Sequence, residues 1–346
     1  MKIENSSRLA LLMHDYLTTG YGKMGHGLLR YSEAEVVAVI DRSTAGQDVQ
    51  ALTGIARATP IVASVNEAVA LGADTLVLGV ATPGGVLPPD WWDEMEAALR
   101  AGMSLVNGLH APLAEVPRLR AALRGDRFIW DVRQEPEGLK NGTGAARNLP
   151  AQRVLTVGTD MAIGKMTASI EMDRAARRRG LRSKFLASGQ IGICISGEGV
   201  ALDAVRVDFA SGAIEELVLR YGEDHDVLWV EGQGSLFHPA STAWLPLIRG
   251  ASPTHLILCH RAGHESIARE PWVKIPPLRE VTALYEAVTA AGGALPRARV
   301  VGISLITAHL DDLHARQAID LAHAETGLPV CDVVRYGADP LLDAIR

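Results

Sequence analysis

Aromatic side chains are scarce in this sequence, at 5% of 346 residues. Cysteine is scarcer still: Cys194, Cys259 and Cys331 are odd in number, far apart and without metal-ligand spacing. That argues against a disulfide framework or a zinc site, and the three read as buried free thiols of a reducing compartment. No apolar run approaches the ~18 residues of a membrane span. Leu9–Met13 is too short for the core of a secretion signal and reads as a first strand, so the chain is expected to stay in the cytoplasm. Excess positive charge is missing too. The 34 basic residues face 40 acidic ones, for a net charge of −6. Neither nucleic acid nor an acidic membrane surface is an expected partner. The sequence has no internal repeat and no low-complexity tract.

What is plentiful is glycine, at 34, in a chain that is 48% hydrophobic. Much Ala, Val, Leu and Gly with few aromatics suits packed parallel strands and tight turns. The length suggests about two domains. Short apolar runs alternate with amphipathic stretches, which predicts βαβ units in two α/β domains with mainly parallel sheets. Strands are expected at Arg8–Met13, Val36–Ile40, Thr75–Val80, Ser104–Asn107 and Arg127–Trp130 in residues 1–134. Residues 135–150, rich in Gly, Pro and Asn, read as a linker. Residues 151–346 resume with strands at Arg153–Val157, Ser183–Ala187, Val227–Glu231, His255–Cys259 and Val300–Ser304.

The first strand of the second half carries the strongest motif. Val154–Val157 runs into Gly158, Thr159, Asp160, Met161, Ala162, Ile163, Gly164, Lys165, Met166 and Thr167, and a basic helix follows. Strand, glycine loop with Gly-Lys, then helix is the context of a phosphate loop. Main-chain N–H groups and the helix N-terminus face the anion, and the Lys adds a full charge. Two departures matter. Five residues, not four, separate Gly158 from Gly164, and Met166 stands where a Mg²⁺-binding hydroxyl would follow the Lys, with Thr167 one place late. The longer loop is similar to that of dethiobiotin synthetases. A second strand ends in Glu231, Gly232, Gln233, Gly234 and Ser235, followed by His238. A carboxylate at the C-terminal end of a parallel strand fits a general base or a metal ligand; the bland alternative is a tight turn with a solvated Glu. Ser188–Gly192, with Gln190, is expected to wall the same pocket.

The combination GTDMAIGKMT, SGQIG, VALDAVRVDFASGAIE, WVEGQGSLFHPA and VVGISL resembles a P-loop family long left without a function. Some of its members are described as D-glutamate N-acetyltransferases of the DgcN type. GYGKMGHGLLRYS, VVAVIDRSTAGQD, LVLGVATPGG, SLVNGLHAPL and WDVR extend the likeness to the N-terminal half. The resemblance implies a Rossmann-like N-terminal domain and a dethiobiotin-synthetase-like C-terminal domain. It also implies acetyl-CoA as acyl donor and an acidic D-amino acid as small-molecule acceptor. A loop that holds CoA phosphates does not require the metal hydroxyl, which makes Met166 intelligible.

Attack of an amine on a thioester needs a base, oxyanion donors and cations for the acceptor carboxylates. Candidate bases are Glu231, His238 and His260. Candidate oxyanion donors are the N–H groups of Gly232–Ser235, and candidate carboxylate clamps are Arg261 and Arg269. Each has a plainer alternative: a packed or capping His, a solvated Arg. Asp203 and Asp208 are further candidates for ligand contact or helix capping. The competing reading is an ATP-dependent ligase or kinase, with Asp160 and Glu231 on Mg²⁺ and Thr167 turned in.

In the first half, Gly20–Gly27 opens a helix after the first strand and Asp41 ends the second. The glycine spacing is not that of a dinucleotide fingerprint. Lys23, His26, Asn107, His110, Asp131 and Arg133 lie near expected strand ends, as ligand contacts or as loop residues with local bonds. A homo-oligomer is expected on the habit of large α/β enzymes.

Overall fold

A computed structural model describes residues 2–82 and 87–345. Pro83–Gly85, the end of the LVLGVATPGG motif, lie outside the described residues. The chain divides into two compact units, residues 1–134 with 190–201, and residues 135–189 with 202–346.

The first unit is a six-stranded parallel sheet of β1 (Arg8–Leu12), β2 (Glu35–Ile40), β3 (Ile61–Val62), β4 (Thr75–Leu78), β5 (Ser104–Asn107) and β6 (Ile129–Asp131). Their spatial order is β3-β2-β1-β4-β5-β6, the doubly wound order of the Rossmann fold. Its helices are α1 (Lys23–Tyr31), α2 (Val49–Thr53), α3 (Val65–Ala70), α4 (Trp91–Arg100) and α5 (Pro117–Ala122). The strands read as continuous apolar runs because helices cover both faces of such a sheet. Leu12, Ile40, Leu78 and Leu105 pack with Trp91 and Met95 of α4 in one core.

The second unit holds β7 (Gln152–Gly158), α6 (Lys165–Arg178), β8 (Ser183–Leu186), α8 (Val207–Gly222), β9 (Val227–Val230), α9 (Trp244–Ala251) and β10 (His255–Arg261). It continues with β11 (Ser266–Ile267), β12 (Glu270–Lys274), α10 (Leu278–Ala290), β13 (Arg299–Ile306), α11 (Asp312–Thr326), β14 (Val330–Cys331) and α12 (Asp339–Asp343). The main sheet is parallel with order β14-β13-β10-β7-β9-β8, and β11 pairs with β12 as a separate antiparallel ribbon. β7 is central. The chain winds from it to one side through β8 and β9, then returns to its other side as β10. This reversal puts the ends of β7, β9 and β10 at a switch point, where parallel sheets bind ligands. Trp229 on β9 is fully buried, and its indole N–H donates to Ser183 Oγ, which itself donates to Asp173 on α6. Burial of a side chain of that size, with its N–H satisfied, accounts for about 3–5 kcal/mol on truncation to Ala. All three cysteines are buried free thiols.

Two segments differ from expectation. Residues 135–150 are no free linker. Glu135 pairs with Arg206, Thr143 donates through both N–H and hydroxyl to Glu215, and Asn141 donates to the Asp208 carbonyl. The segment lies so close to α8 that a Cβ on Gly212 would come 1.8 Å from the Lys140 carbonyl oxygen. The expected turn at Ser188–Gly192 ends at Gly189, and Gln190–Ser196 form helix α7, which packs on α1 and belongs with the first unit. Its buried Ile193 and Cys194 supply the apolar stripe.

Candidate functional site

β7 delivers Gly158 to the edge of the sheet, and the loop 159–164 turns the chain into α6. Thr159 is fixed twice: its N–H donates to the Cys259 carbonyl, and its hydroxyl lies 2.9 Å from His260 Nδ1. Ala162 has φ 54° and Gly164 φ 81°, both left-handed; glycine takes that conformation without cost, alanine only where the surroundings impose it. The result is a helix start with unused donors. Among the described residues, no main-chain N–H from Ala162 to Thr167 has a protein acceptor, and α6 has no side-chain cap. Lys165 is the first residue of α6. It is buried, donates from Nζ to the Asp160 carbonyl at 2.8 Å, and burial lowers its pKa to about 8. A Cβ on Gly158 would meet Ile163 Cδ1 at 2.8 Å and Lys165 Nζ at 3.3 Å, so that glycine keeps the loop closed over its own lysine. These are the residues that could hold a phosphate: six amides, a helix N-terminus and one ammonium.

Glu231 follows β9 directly. It is 4% exposed. Its Oε2 accepts from the N–H groups of Ser188 (3.0 Å) and Gly189 (3.3 Å), and its Oε1 from Gln233 Nε2 at 3.4 Å. Burial pushes its pKa up to about 7, against the pull of those two amides and of the Lys165 charge. The next residue must be glycine. A Cβ on Gly232 would lie 1.7 Å from the Thr156 carbonyl oxygen and 3.0 Å from the Lys165 stem. The Gly232 N–H donates to Thr156 Oγ1 at 2.9 Å. Lys165 and Glu231 thus lie on neighbouring stretches of backbone.

The four amides expected as oxyanion donors are not equivalent. Those of Gly232 and Ser235 are committed, to Thr156 Oγ1 and Ser241 Oγ, because the loop must satisfy its own buried backbone. Those of Gln233 and Gly234 have no protein acceptor among the described residues. Ser235 Oγ accepts from the Phe237 N–H, and His238 is buried with Nδ1 accepting from the Ala240 N–H at 3.1 Å. The His238 proton therefore sits on Nε2. His260 is also buried, beside Thr159. Burial and the nearby His264 lower its pKa to about 4, so it is neutral at pH 7.

Asp160 is engaged on both oxygens. Met161 N–H donates to Oδ1, and Oδ2 takes the Ala268 N–H and His264 Nε2, each at 3.0 Å. Burial would raise this carboxyl, but the bonds from Ala268, His264 and Met161 outweigh it and hold it below the usual range. Asp160 thereby pins the β11–β12 ribbon to the phosphate loop. Arg261, at the end of β10, and Arg269, in the turn of the ribbon, are exposed and make no ion pair among the described residues. No group of three His, Cys, Asp or Glu side chains spaced to hold a metal occurs among the described residues.

The first unit tells a different story. Three of its glycines are already met by a neighbouring side chain. Added Cβ atoms on Gly22, Gly25 and Gly79 would come within 2.9 Å of the Met13 side chain. Asp41 accepts from the Asp15 N–H and from the hydroxyls of Ser43 and Thr44. Asn107 donates to Asp131, whose carboxylate also takes the N–H groups of Leu113 and Ala114. His26 bonds the Leu17 carbonyl and Arg133 the Gly108 carbonyl. Burial lowers the pKa of both His26 and His110. Lys23 opens α1. Gln190 opens α7 and is buried there, one peptide bond beyond Gly189, so the structure assigns it to the other unit from Gly158–Thr167. Asp203 lies in a 3₁₀ turn and Asp208 in the first turn of α8.

Ser188, expected in the pocket wall, bonds Glu231 through its N–H and hydroxyl. Sequence reasoning missed Thr156, His264 and Tyr285. Thr156 sits inside a quoted strand, at a position that could have been singled out. His264 is four residues past His260 on a turn. Tyr285 lies on a helix well away in sequence, its hydroxyl donating to the Gly158 carbonyl at 2.7 Å; no local pattern marks it.

Comparison with known proteins places the chain in a family. Residues 140–342 match a domain of unknown function described as the DUF1611 C-terminal P-loop domain, and residues 42–135 match its Rossmann-like N-terminal partner. A protein of Tritonibacter scottomollicae named D-glutamate N-acetyltransferase is 39% identical over 284 residues, 82% of this chain and 84% of its own. A Pseudoalteromonas protein of the same name is 35% identical, covering 81% of this chain and 83% of its own. The crystal structure of a DUF1611 family protein from Anabaena variabilis superposes with a TM-score of 0.96 at 58% identity, over 98% of this chain and 99% of that one. With both domain types matched and relatives at this identity over most of its length, the chain belongs to the DUF1611 family, a Rossmann-like domain joined to a P-loop domain.

Proposed function

We propose that this enzyme is an N-acetyltransferase that moves an acetyl group from acetyl-CoA to the amino group of an acidic D-amino acid such as D-glutamate. The naming of two relatives supports the reaction class. One observation carries the chemistry: a buried carboxyl, Glu231, whose pKa is raised to about 7, lies beside the lysine of a phosphate loop whose amides from Ala162 to Thr167 have no protein acceptor among the described residues. A base is most effective when its pKa lies near the working pH.

Bound acetyl-CoA would supply the activated thioester. The amides of Ala162–Thr167 and Lys165 would hold its phosphates, with Lys165 exchanging the Asp160 carbonyl for phosphate oxygen. Glu231 would take the proton that the acceptor ammonium must lose before its nitrogen can attack. The N–H groups of Gln233 and Gly234 are the donors left for the oxygen that becomes negative. Arg261 and Arg269 are the exposed cations for the acceptor carboxylates. Neutral His260 positions Thr159.

The competing reading is Mg²⁺-ATP at the same loop, favoured by the position of Glu231 at the end of the strand next to β7. It asks more of the residues present. Met166 offers no hydroxyl, and Asp160 already takes three hydrogen bonds. Thermal shift separates the two, because a ligand that binds only the folded state raises Tm. Acetyl-CoA and CoA are expected to raise Tm and Mg²⁺-ATP not to. Lys165→Ala should remove most of the CoA shift. A shift with Mg²⁺-ATP alone would overturn the acetyltransferase reading.

A further inference from the structure

Tyr285 on α10 is fully buried and belongs to no motif. A phenol hydroxyl has one proton and two lone pairs, and here all three face main chain. The hydroxyl donates to the Gly158 carbonyl at 2.7 Å, accepts from the Leu236 N–H at 3.2 Å, and lies 3.4 Å from the Gly158 N–H. Gly158 is where β7 becomes the phosphate loop. Leu236 belongs to the loop that begins at Glu231 and carries Gln233, Gly234 and His238. The ring of Phe237, in that same loop, packs edge-on against Tyr285 at 6.4 Å between centroids. A small cavity bounded by Gly158, Gly232, Gln233, Gly234, Trp244 and Tyr285 lies along the second loop. Two polar links join that loop to β7 and the start of the phosphate loop, the Gly232 N–H to Thr156 Oγ1 and the Tyr285 hydroxyl.

We infer that Tyr285 is a positioning residue that couples the phosphate loop to the loop following Glu231, so that an anion held by the first sets the geometry of the second. It touches no reacting atom. A hydroxyl that bonds Gly158 and Leu236 together fixes their separation, and a change in the Gly158 peptide on ligand binding passes to Leu236 through one oxygen. The inference rests on the phosphate-loop reading above and leaves the identity of the acyl acceptor aside.

The test is amide hydrogen exchange on the full chain and on Tyr285→Phe, with inorganic pyrophosphate and separately with CoA, alongside steady-state kinetics. In the natural chain both ligands are expected to slow exchange at 158–167 and at 232–239. In Tyr285→Phe, protection at 158–167 should persist, while that at 232–239 falls to the unliganded level. The variant should lose about tenfold in kcat, with KM for acetyl-CoA within about twofold. Unchanged protection of both segments and unchanged kcat would overturn the coupling, as would protection confined to 158–167 in the natural chain. No protection at 158–167 by either ligand would remove the phosphate-loop reading, and the coupling with it; protection there by pyrophosphate but not CoA would remove only the CoA assignment. If Tyr285→Phe does not fold, Leu236→Pro removes the donor of the same link and leaves the phenol in the core. It should show the same split between the two segments, and protection of both would overturn the proposal.

Discussion

Glu231 and Lys165 are both buried, and burial drives each toward its neutral form. The consequence for stability has a definite sign. Glu231 binds its proton more tightly folded than unfolded, so it adds stability that is fully present below pH 4.5 and lost as pH rises through about 7. Glu231→Gln should flatten the stability profile across that window by up to about 3 kcal/mol, measurable as denaturant midpoint against pH. A slope unchanged in the variant would mean that another group titrates there. Under the acetyltransferase reading, kcat/KM should rise with pH through about 7 as the carboxylate forms, and Glu231→Gln should cost about 10²–10⁴-fold and abolish the rise. Gly232 is a steric matter. With its Cβ position 1.7 Å from a backbone oxygen, Gly232→Ala must move the loop. It should lower activity at least as far as Glu231→Gln while adding a stability loss of about 1–3 kcal/mol. Native-like activity in Gly232→Ala would show that this loop is remote from the chemistry.

At the level of elements, the β11–β12 ribbon is attached to the phosphate loop by one carboxylate, Asp160. Asp160→Asn keeps the shape but weakens acceptance from His264 and the Ala268 N–H. It should cost about 1–3 kcal/mol and expose the ribbon to protease near Arg269 before the rest of the unit is cut. Equal resistance in the variant would show that the ribbon is held by other contacts. Local order of this kind was largely readable in the sequence. The strands at Ser104–Asn107 and Ser183–Leu186, and the turn from β7 into α6, follow from apolar runs ended by glycine or a chain-reversing motif. The ribbon was not readable. Glu270–Lys274 has exposed residues and no alternation, and its place is fixed by a contact to a residue over a hundred positions earlier. The same limit applies to the segment 135–150, whose Gly and Asn suggest a free loop but whose Gly142 lies against Ser211 and Gly212 of α8. It applies to the site as well. Lys165 and Glu231 announce themselves by motif, whereas the Tyr285 hydroxyl and the commitment of the Gly232 and Ser235 amides appear only in three dimensions.

At the scale of the molecule, the chain does not fold as two consecutive beads. Residues 190–201 leave the second unit to complete the first, where α7 lies on α1 and buries Ile193, Cys194 and Val200. A fragment cut at 135–346 therefore carries an apolar helix with no partner. It should bind a hydrophobic dye and aggregate, and replacing 190–201 in that fragment by a short Gly-Ser bridge should restore a monodisperse fold. A well-behaved 135–346 fragment with its natural 190–201 would contradict this division.

The excursion has a consequence at the other end of the scale. The two amides that grip the Glu231 carboxylate come from Ser188 and Gly189, the last residues before the chain departs into α7. Both main-chain donors to that carboxylate therefore sit immediately before the backbone crosses from one compact unit into the other.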